Sequence, residues 1–405
     1  MDRAPVASAI DGRIAVITID SPPVNALGQA VRAGVVEALV HARDAADIDA
    51  VVLASTGRLF SAGADITEFG KPPLAPSLRE VIAALDAFSK PVVAAVQGAA
   101  LGGGFELVLG CHFRVGSAAA QFGLPEIKLG LLPGAGGTQR LPRIVGPVRA
   151  VEMIVAGKPV DATTAKDLGI ADELAEGPLL QHAVGFARRI VSSRSALRPV
   201  SQRDEKLASL RARPTAFDET ASRLTSKDRH LRAPAACVAA VRASFELPFA
   251  EGLVRERALF DELMQGEQSR ALRYVFRAER KIATIPGMPP DVSAAPIGKA
   301  AVIGAGTMGS GIAMCFANAG IPVVLLDATT EALDRGFAAA ERNYATSVKR
   351  GSLSQEAADR ALSCIKRSLA YDDVAAADIV IEAVFEEMTI KRDVMRRVDA
   401  VAKPG

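Results

Sequence analysis

PVVAAVQGAALGGGFEL, residues Pro91 to Leu107, runs an apolar segment straight into three consecutive glycines and then a glutamate. Pro91 to Val96 reads as a buried strand, a short continuous apolar run that leaves no face for water. Gly102, Gly103 and Gly104 permit close backbone approach in a segment too apolar for a solvent loop, so a backbone N–H can point into a pocket. Glu106 follows directly. FGLPEIKLGLLPGAGG (Phe122 to Gly137) places a second glutamate, Glu126, behind a proline-marked bend. Two carboxylates in apolar, glycine-rich sequence can manage protons at neutral pH, because burial raises one pKa and lets acid and base forms coexist.

On the N-terminal side, ASAIDGRIAVITID (Ala7 to Asp20) predicts two short strands around an Asp-Gly turn, and Ala50 to Ala54 another strand. Helical periodicity covers Ser77 to Phe88. This alternation of strands and helices predicts an α/β domain of parallel character, closed by helices near Arg189. The segment from Leu197 to Asp228 is charged and strand-poor, which suggests peripheral or linking structure. Phe249 to Ile282 then reads as one long amphipathic helix, with Leu253, Leu259, Phe260, Leu263, Leu272, Val275 and Phe276 on its apolar side. IPGMPPDVSAAP (Ile285 to Pro296) is a proline-rich linker.

After the linker, KAAVIGAGTMGSGIAMCFANAGIPVVLLD (Lys299 to Asp327) holds G-x-G-x-x-G at Gly304, Gly306 and Gly309, with a strand before it, a helix after it, and Asp327 ending a second strand. The glycines allow a tight turn against a pyrophosphate, and the helix N-terminus supplies N–H donors. An acidic residue at Asp327 suits the ribose 2′-hydroxyl and repels a 2′-phosphate, which favours NAD over NADP.

The 405 residues suggest two or three domains, and 49% hydrophobic with 23% charged residues excludes wholesale disorder. A net charge of +2 gives no electrostatic case for nucleic-acid or membrane partners. No apolar run reaches membrane-spanning length. MDRAPVASAIDGR lacks a secretory layout, pointing to an intracellular protein. Cys111, Cys237, Cys315 and Cys364 are scattered, so neither a metal site nor a disulfide frame is expected, and His112 reads as a structural histidine.

Six ordered segments carry a family resemblance: PPVNAL, FSAGADITEF, PVVAAVQGAALGGGFELVLGCHFRV, GLPEIKLGLLPGAGGTQRLPR, the helix ending RALRYVFRAERK, and VIGAGTMGSGIA. The chain resembles multifunctional enzymes of fatty-acid β-oxidation, in which an enoyl-CoA hydratase/isomerase of the crotonase family is fused to an NAD-dependent 3-hydroxyacyl-CoA dehydrogenase. The resemblance implies a crotonase-type ββα spiral core over residues 1–190, peripheral helices and a linking helix over 191–284, a linker over 285–296, and a partial Rossmann domain, a doubly wound parallel sheet, over 297–405.

It also implies roles. Glu106 and Glu126 would hold a water, Glu106 activating it for attack at C3 of a trans-2-enoyl-CoA and Glu126 delivering a proton to C2. The N–H groups of Ala64 and Gly103 would form the oxyanion hole. NAD contacts would come from Met308, Asp327, Val384, Phe385, Glu386 and Lys391. The same site would serve 3-enoyl to 2-enoyl-CoA isomerisation.

The chain departs from the family in one respect: His41, His112, His182 and His230 all precede the glycine turn, whereas the family's dehydrogenase base is a histidine, so the dehydrogenase is expected to be incomplete in this chain. A monofunctional hydratase with a remnant domain and a non-catalytic acyl-CoA-binding protein are the alternatives. The expected ligands are a CoA thioester and NAD, without a metal. The protein would be a monomer or homo-oligomer, cytoplasmic in a bacterium and peroxisomal in a eukaryote.

Overall fold

A computed structural model describes residues 4–72, 74–194, 197–212, 214–226, 229–282, 285–289 and 292–404. The chain divides into two compact units, Met1–Ile285 and Pro286–Gly405. Within the proline-rich stretch 285–296, Pro290 and Asp291 lie outside the described residues, and the rest forms neither helix nor strand.

The first unit opens on the expected hairpin, Val6–Asp11 antiparallel to Ile14–Ile19. Parallel strands Ala50–Ser55, Val92–Val96, Phe113–Gly116 and Glu173–Leu174 extend it into a six-stranded sheet. Val92–Val96 is buried at every position, as its unbroken apolar sequence requires of a central parallel strand. The chain alternates between this sheet and a second one. Ala99–Leu101 and Gln121–Gly123 pair in parallel there, Val160–Asp161 joins them antiparallel, and Ser61 bridges to Ala100. Successive turns give a strand to each sheet and then a helix, Leu78–Asp86 after the first pair and Gly103–Gly110 after the second. This is the ββα spiral expected from the sequence. Ser77 begins the helix Leu78–Asp86 with a reciprocal capping box to Glu80.

Two expectations are corrected. The helix expected over 249–282 is two helices, Phe249–Gln265 and Glu267–Ile282, parted by Gly266 in an extended conformation. The break lets the second helix lie against the turn beyond Glu126, where a Cβ on Gly130 would fall 3.1 Å from Ser269 Cα. The charged segment after Leu197 forms helices Glu205–Ala212 and Thr215–Ser226, whose Leu207 and Phe217 are fully buried in the main core. These few apolar residues are buried among many charged ones, so average composition concealed an inner face.

The second unit is a four-stranded parallel sheet in which Ala300–Ile303 lies between Val323–Leu326 and Ile379–Glu382, with Ile365–Ser368 at the far edge. Helix Thr307–Asn318 connects the first two of these strands. The strand order reverses between Ala300–Ile303 and Ile379–Glu382, and in such sheets the crevice at the strands' C-terminal ends is where a ligand binds.

Candidate active site

Glu106 lies in the first turns of the helix Gly103–Gly110 and is 3% exposed. Its Oε1 accepts two backbone hydrogen bonds, from Ala135 N at 2.7 Å and Gly137 N at 2.8 Å. Burial pushes its carboxyl above the ordinary value, while those two donors pull it back. Glu126 opens the short helix Glu126–Leu129, and its Oε2 is closed off from solvent with no hydrogen-bond partner. Its pKa stands well above the ordinary value, first through burial and then through the charge of Glu106. Two buried carboxylates within electrostatic reach cannot both ionise easily. The balance favours charge on Glu106, whose Oε1 has two backbone donors, and the proton on Glu126, whose Oε2 has none.

The two N–H groups at Ala64 and Gly103 meet beside this pair. A Cβ added to Gly103 would lie 3.1 Å from Ala64 N and 2.6 Å from Leu78 Cδ2. Among the described residues neither N–H has a hydrogen-bond acceptor. Unpaired, partly enclosed backbone donors are rare in folded proteins, and two side by side form a ready site for a developing oxyanion. Gly102, at φ 53°, turns the chain so that Gly103 can begin a helix with its N–H free, and Glu126 Oε1 occupies the space where a side chain on Gly102 would go, 3.2 Å from its Cβ.

A third carboxylate completes the arrangement. Glu256, on the helix Phe249–Gln265 and 1% exposed, accepts from Gly136 N at 2.7 Å and from Thr138 N at 3.1 Å and Thr138 Oγ1. Four consecutive amides therefore alternate between two acids, 135 and 137 to Glu106, 136 and 138 to Glu256. The loop ahead of helix Gly137–Val145 is gripped from both sides. Burial and the charge of Glu106 push the Glu256 carboxyl up to about 8, against the pull of its three donors.

An acid whose folded pKa is raised adds stability that is fully present below its unfolded pKa and is lost as pH rises through about 8. Glu256→Gln is expected to flatten the fall in melting temperature between about pH 5 and pH 8. Calorimetric melting of both proteins across that range checks it, and equal slopes would contradict it.

Sequence reasoning missed Glu256. The signal was present, since Glu256 falls in helical register with buried Gly252, Leu259 and Leu263, a charge where the pattern demands an apolar residue. His112 has the structural place expected of it: its Nδ1 accepts from Val92 N at 3.1 Å, and burial lowers its pKa to about 4.

In the second unit Gly304, at φ 106°, ends the strand Ala300–Ile303, Gly306 caps the helix Thr307–Asn318, and Gly309 packs so tightly that a Cβ would lie 1.7 Å from Gly304 O. A Cβ on Gly306 would meet nothing within 4 Å, so the turn stands open at the helix N-terminus. Asp327 accepts from Ala305 N at 2.6 Å and Ala328 N at 2.7 Å, which ties it to this turn. Val384 packs at the edge of the core, and its N–H donates to Glu382 Oε1. Phe385 is 82% exposed and Met308 72% exposed, so neither is a core residue. Lys391 pairs with Glu382 at 3.0 Å and Glu386 at 2.9 Å. An open glycine turn, bare amides and an acid beside them at the strand-order reversal fit a dinucleotide.

Residues 9–233 match the family described as enoyl-CoA hydratase/isomerase, and residues 299–405 match the NAD binding domain of 3-hydroxyacyl-CoA dehydrogenase. The chain is 38% identical over 399 residues to the peroxisomal bifunctional enzyme of Danio rerio, covering 97% of this chain and 54% of that protein. It is 36% identical over 413 residues to a peroxisomal fatty acid beta-oxidation multifunctional protein of Oryza sativa, covering 99% of this chain and 57% of that protein. The chain thus spans about half the length of the curated relatives it matches. Among solved structures, a carnitinyl-CoA hydratase from Mycobacterium avium superposes with a TM-score of 0.51 at 29% identity, covering 69% of this chain and 97% of that one. EchA1_1 from Mycobacterium paratuberculosis gives the same score, identity and coverage. The family match covers more than half of the chain, across the two-sheet spiral that holds Glu106, Glu126 and the paired amides: the chain belongs to the enoyl-CoA hydratase/isomerase family.

Proposed function

We propose that the first unit hydrates trans-2-enoyl-CoA thioesters to 3-hydroxyacyl-CoA. The observation that carries this reading is the pairing of two acceptorless N–H groups, Ala64 and Gly103, with an electrostatically split carboxylate pair. The thioester oxygen accepts from both amides and gains charge as water adds to C3. Glu106, the ionised partner, takes a proton from the water as its oxygen bonds to C3. Glu126, the protonated partner, delivers its proton to C2, and the proton on Glu106 passes to Glu126 to restore the starting state. Atoms balance as one water added across the double bond. Isomerisation of 3-enoyl to 2-enoyl thioesters uses the same enolate, with Glu126 as shuttle. Loss of enoyl-thioester absorbance on adding crotonyl-CoA tests the reading, and an unchanged spectrum would refute it.

For the second unit we infer NAD binding at Gly304, Gly306, Met308, Gly309, Asp327, Val384, Phe385, Glu386 and Lys391. Bound NAD would supply a hydride acceptor for a 3-hydroxyacyl thioester, the product of the first unit. Asp327 keeps free lone pairs after its two backbone contacts and can accept from a ribose 2′-hydroxyl. Gly309→Val is expected to force Gly304 out of its turn and weaken NAD binding by at least about tenfold, with crotonyl-CoA hydration unaffected. Calorimetric titration of both proteins with NAD checks this, and equal affinities would contradict it. The whole assembly serves fatty-acid β-oxidation, in the peroxisome of a eukaryote or the cytoplasm of a bacterium.

A further inference from the structure

PGAGG (Pro133 to Gly137) carries the Ala135 and Gly137 amides that hold Glu106, yet three glycines in five residues leave it little conformational preference of its own. What fixes it comes from the helix Phe249–Gln265, which lies beyond the matched residues 9–233. A Cβ on Gly134 would fall 2.4 Å from Phe260 Cδ2, one on Gly136 3.3 Å from Leu253 Cδ2, and one on Gly252 2.2 Å from Gln139 Oε1. The helix therefore lies directly against the loop and the first turn of helix Gly137–Val145. Phe249 anchors its N-terminal end, with the guanidiniums of Arg140 and Arg143 at 5.1 and 4.8 Å from the ring centroid.

Glu256 is the polar part of this contact. Successive amides of the loop alternate in direction, 135 and 137 toward Glu106 and 136 and 138 toward Glu256, so holding one set fixes the aim of the other. The charge of Glu256 does not help Glu106 ionise. Within electrostatic reach of Glu106 are Glu126 and Glu256, both of its own sign, and the guanidiniums of Arg140 and Arg79, which favour its ionised form. Arg79 is faced in turn by Glu256, Glu80, Asp261 and Arg257. A negative charge on Glu256 opposes one on Glu106, so whatever Glu256 contributes to its neighbour passes through the loop. Without the Glu256 oxygens, two buried amides and the Thr138 hydroxyl lose their acceptor, and the glycine loop is free to turn elsewhere to find one.

We propose that Glu256 is a positioning residue for hydration: through loop 134–138 it keeps the Ala135 and Gly137 amides on the Glu106 carboxylate, in the geometry that lets Glu106 act as the base. A loop released on the Glu256 side lengthens those two hydrogen bonds. The ionised form of Glu106, which they favour, becomes harder to reach, and its aim at the water is lost with them. The reach of the Glu256 side chain matters here, and its charge does not. The inference rests on the hydratase reading above.

Three substitutions separate reach from charge. Glu256→Asp keeps the charge and withdraws the oxygens by one methylene. Glu256→Gln keeps the reach and an acceptor for Gly136 N, and Glu256→Leu keeps neither. With crotonyl-CoA, kcat is expected to fall about tenfold in Glu256→Asp and at least as far in Glu256→Leu, while Glu256→Gln recovers most of that loss. The acid limb of kcat/KM against pH, where Glu106 takes up its proton, is expected to move to higher pH by about one unit in Glu256→Asp. Affinity for butyryl-CoA, a saturated thioester that needs only the Ala64 and Gly103 amides and the pocket, is expected to hold within about threefold. A leucine suits the buried register of Leu259 and Leu263, so Glu256→Leu against Glu256→Gln decides even where the shortened acid does not fold. Folded variants that differ from the wild type in melting temperature alone overturn the proposal. A loss in Glu256→Gln as large as in Glu256→Asp overturns it too, as does an acid limb moved to lower pH in Glu256→Leu, since Glu256 would then act only as a neighbouring charge. Absence of crotonyl-CoA hydration by the wild type refutes the hydratase reading and this proposal with it.

Discussion

Glu126→Gln is expected to lower kcat/KM for enoyl-CoA hydration by about a thousandfold, within the range for loss of a positioned proton donor. The substitution preserves shape and removes the proton. Glu126 Oε2 is buried without a partner, and both burial and Glu106 hold the group protonated. A glutamine there meets no lost structural bond, so the melting temperature should change little. Binding of a saturated acyl-CoA, which needs only the amides and the pocket, should persist. Kinetics beside a binding titration separate the two effects. Turnover within threefold of the wild type would show that another group delivers the proton.

The second large effect is expected at Gly103. Its missing side chain leaves a gap between Leu78 Cδ2 and Ala64 N, beside the two acceptorless amides. Gly103→Val places branched carbon in that gap. Leu78 can swing aside, but the thioester oxygen can no longer sit between the two donors. Loss of one such donor lowers kcat by about 10² to 10³, and a valine that displaces the oxygen from both should reach the upper figure. Position 103 is the first residue of a helix, where valine is tolerated, so folding should survive. Circular dichroism together with kcat decides, and a folded, fully active variant would refute the oxyanion role.

Local features of the sequence predicted most of what the structure contains. The Asp-Gly turn between alternating residues gave the hairpin, and the glycine turn gave the second unit's strand, helix and acid in order. The Glu106 and Glu126 pair was legible because each sits in a glycine- or proline-marked apolar segment. What escaped was long-range. Glu256 reaches its amide partners across 120 positions of chain, and no local pattern announces that a helix so distant will grip the loop at Gly136. The break at Gly266 escaped because hydrophobic periodicity continues on both sides of it, and only packing of the second helix against Gly130 requires the chain to turn there. The buried inner face of the helices after Leu197 escaped for a related reason, since Leu207 and Phe217 are few among many charges.

The measurement that bears most directly on the central claim is incubation of the protein with a trans-2-enoyl-CoA in ¹⁸O-labelled water, with mass spectrometry of the thioester. The two-carboxylate account predicts one labelled oxygen at C3 in the wild-type reaction, and an initial rate of labelling about a thousandfold lower for Glu126→Gln. Recovery of unlabelled, unhydrated substrate from the wild type, or equal labelling by both proteins, would contradict it.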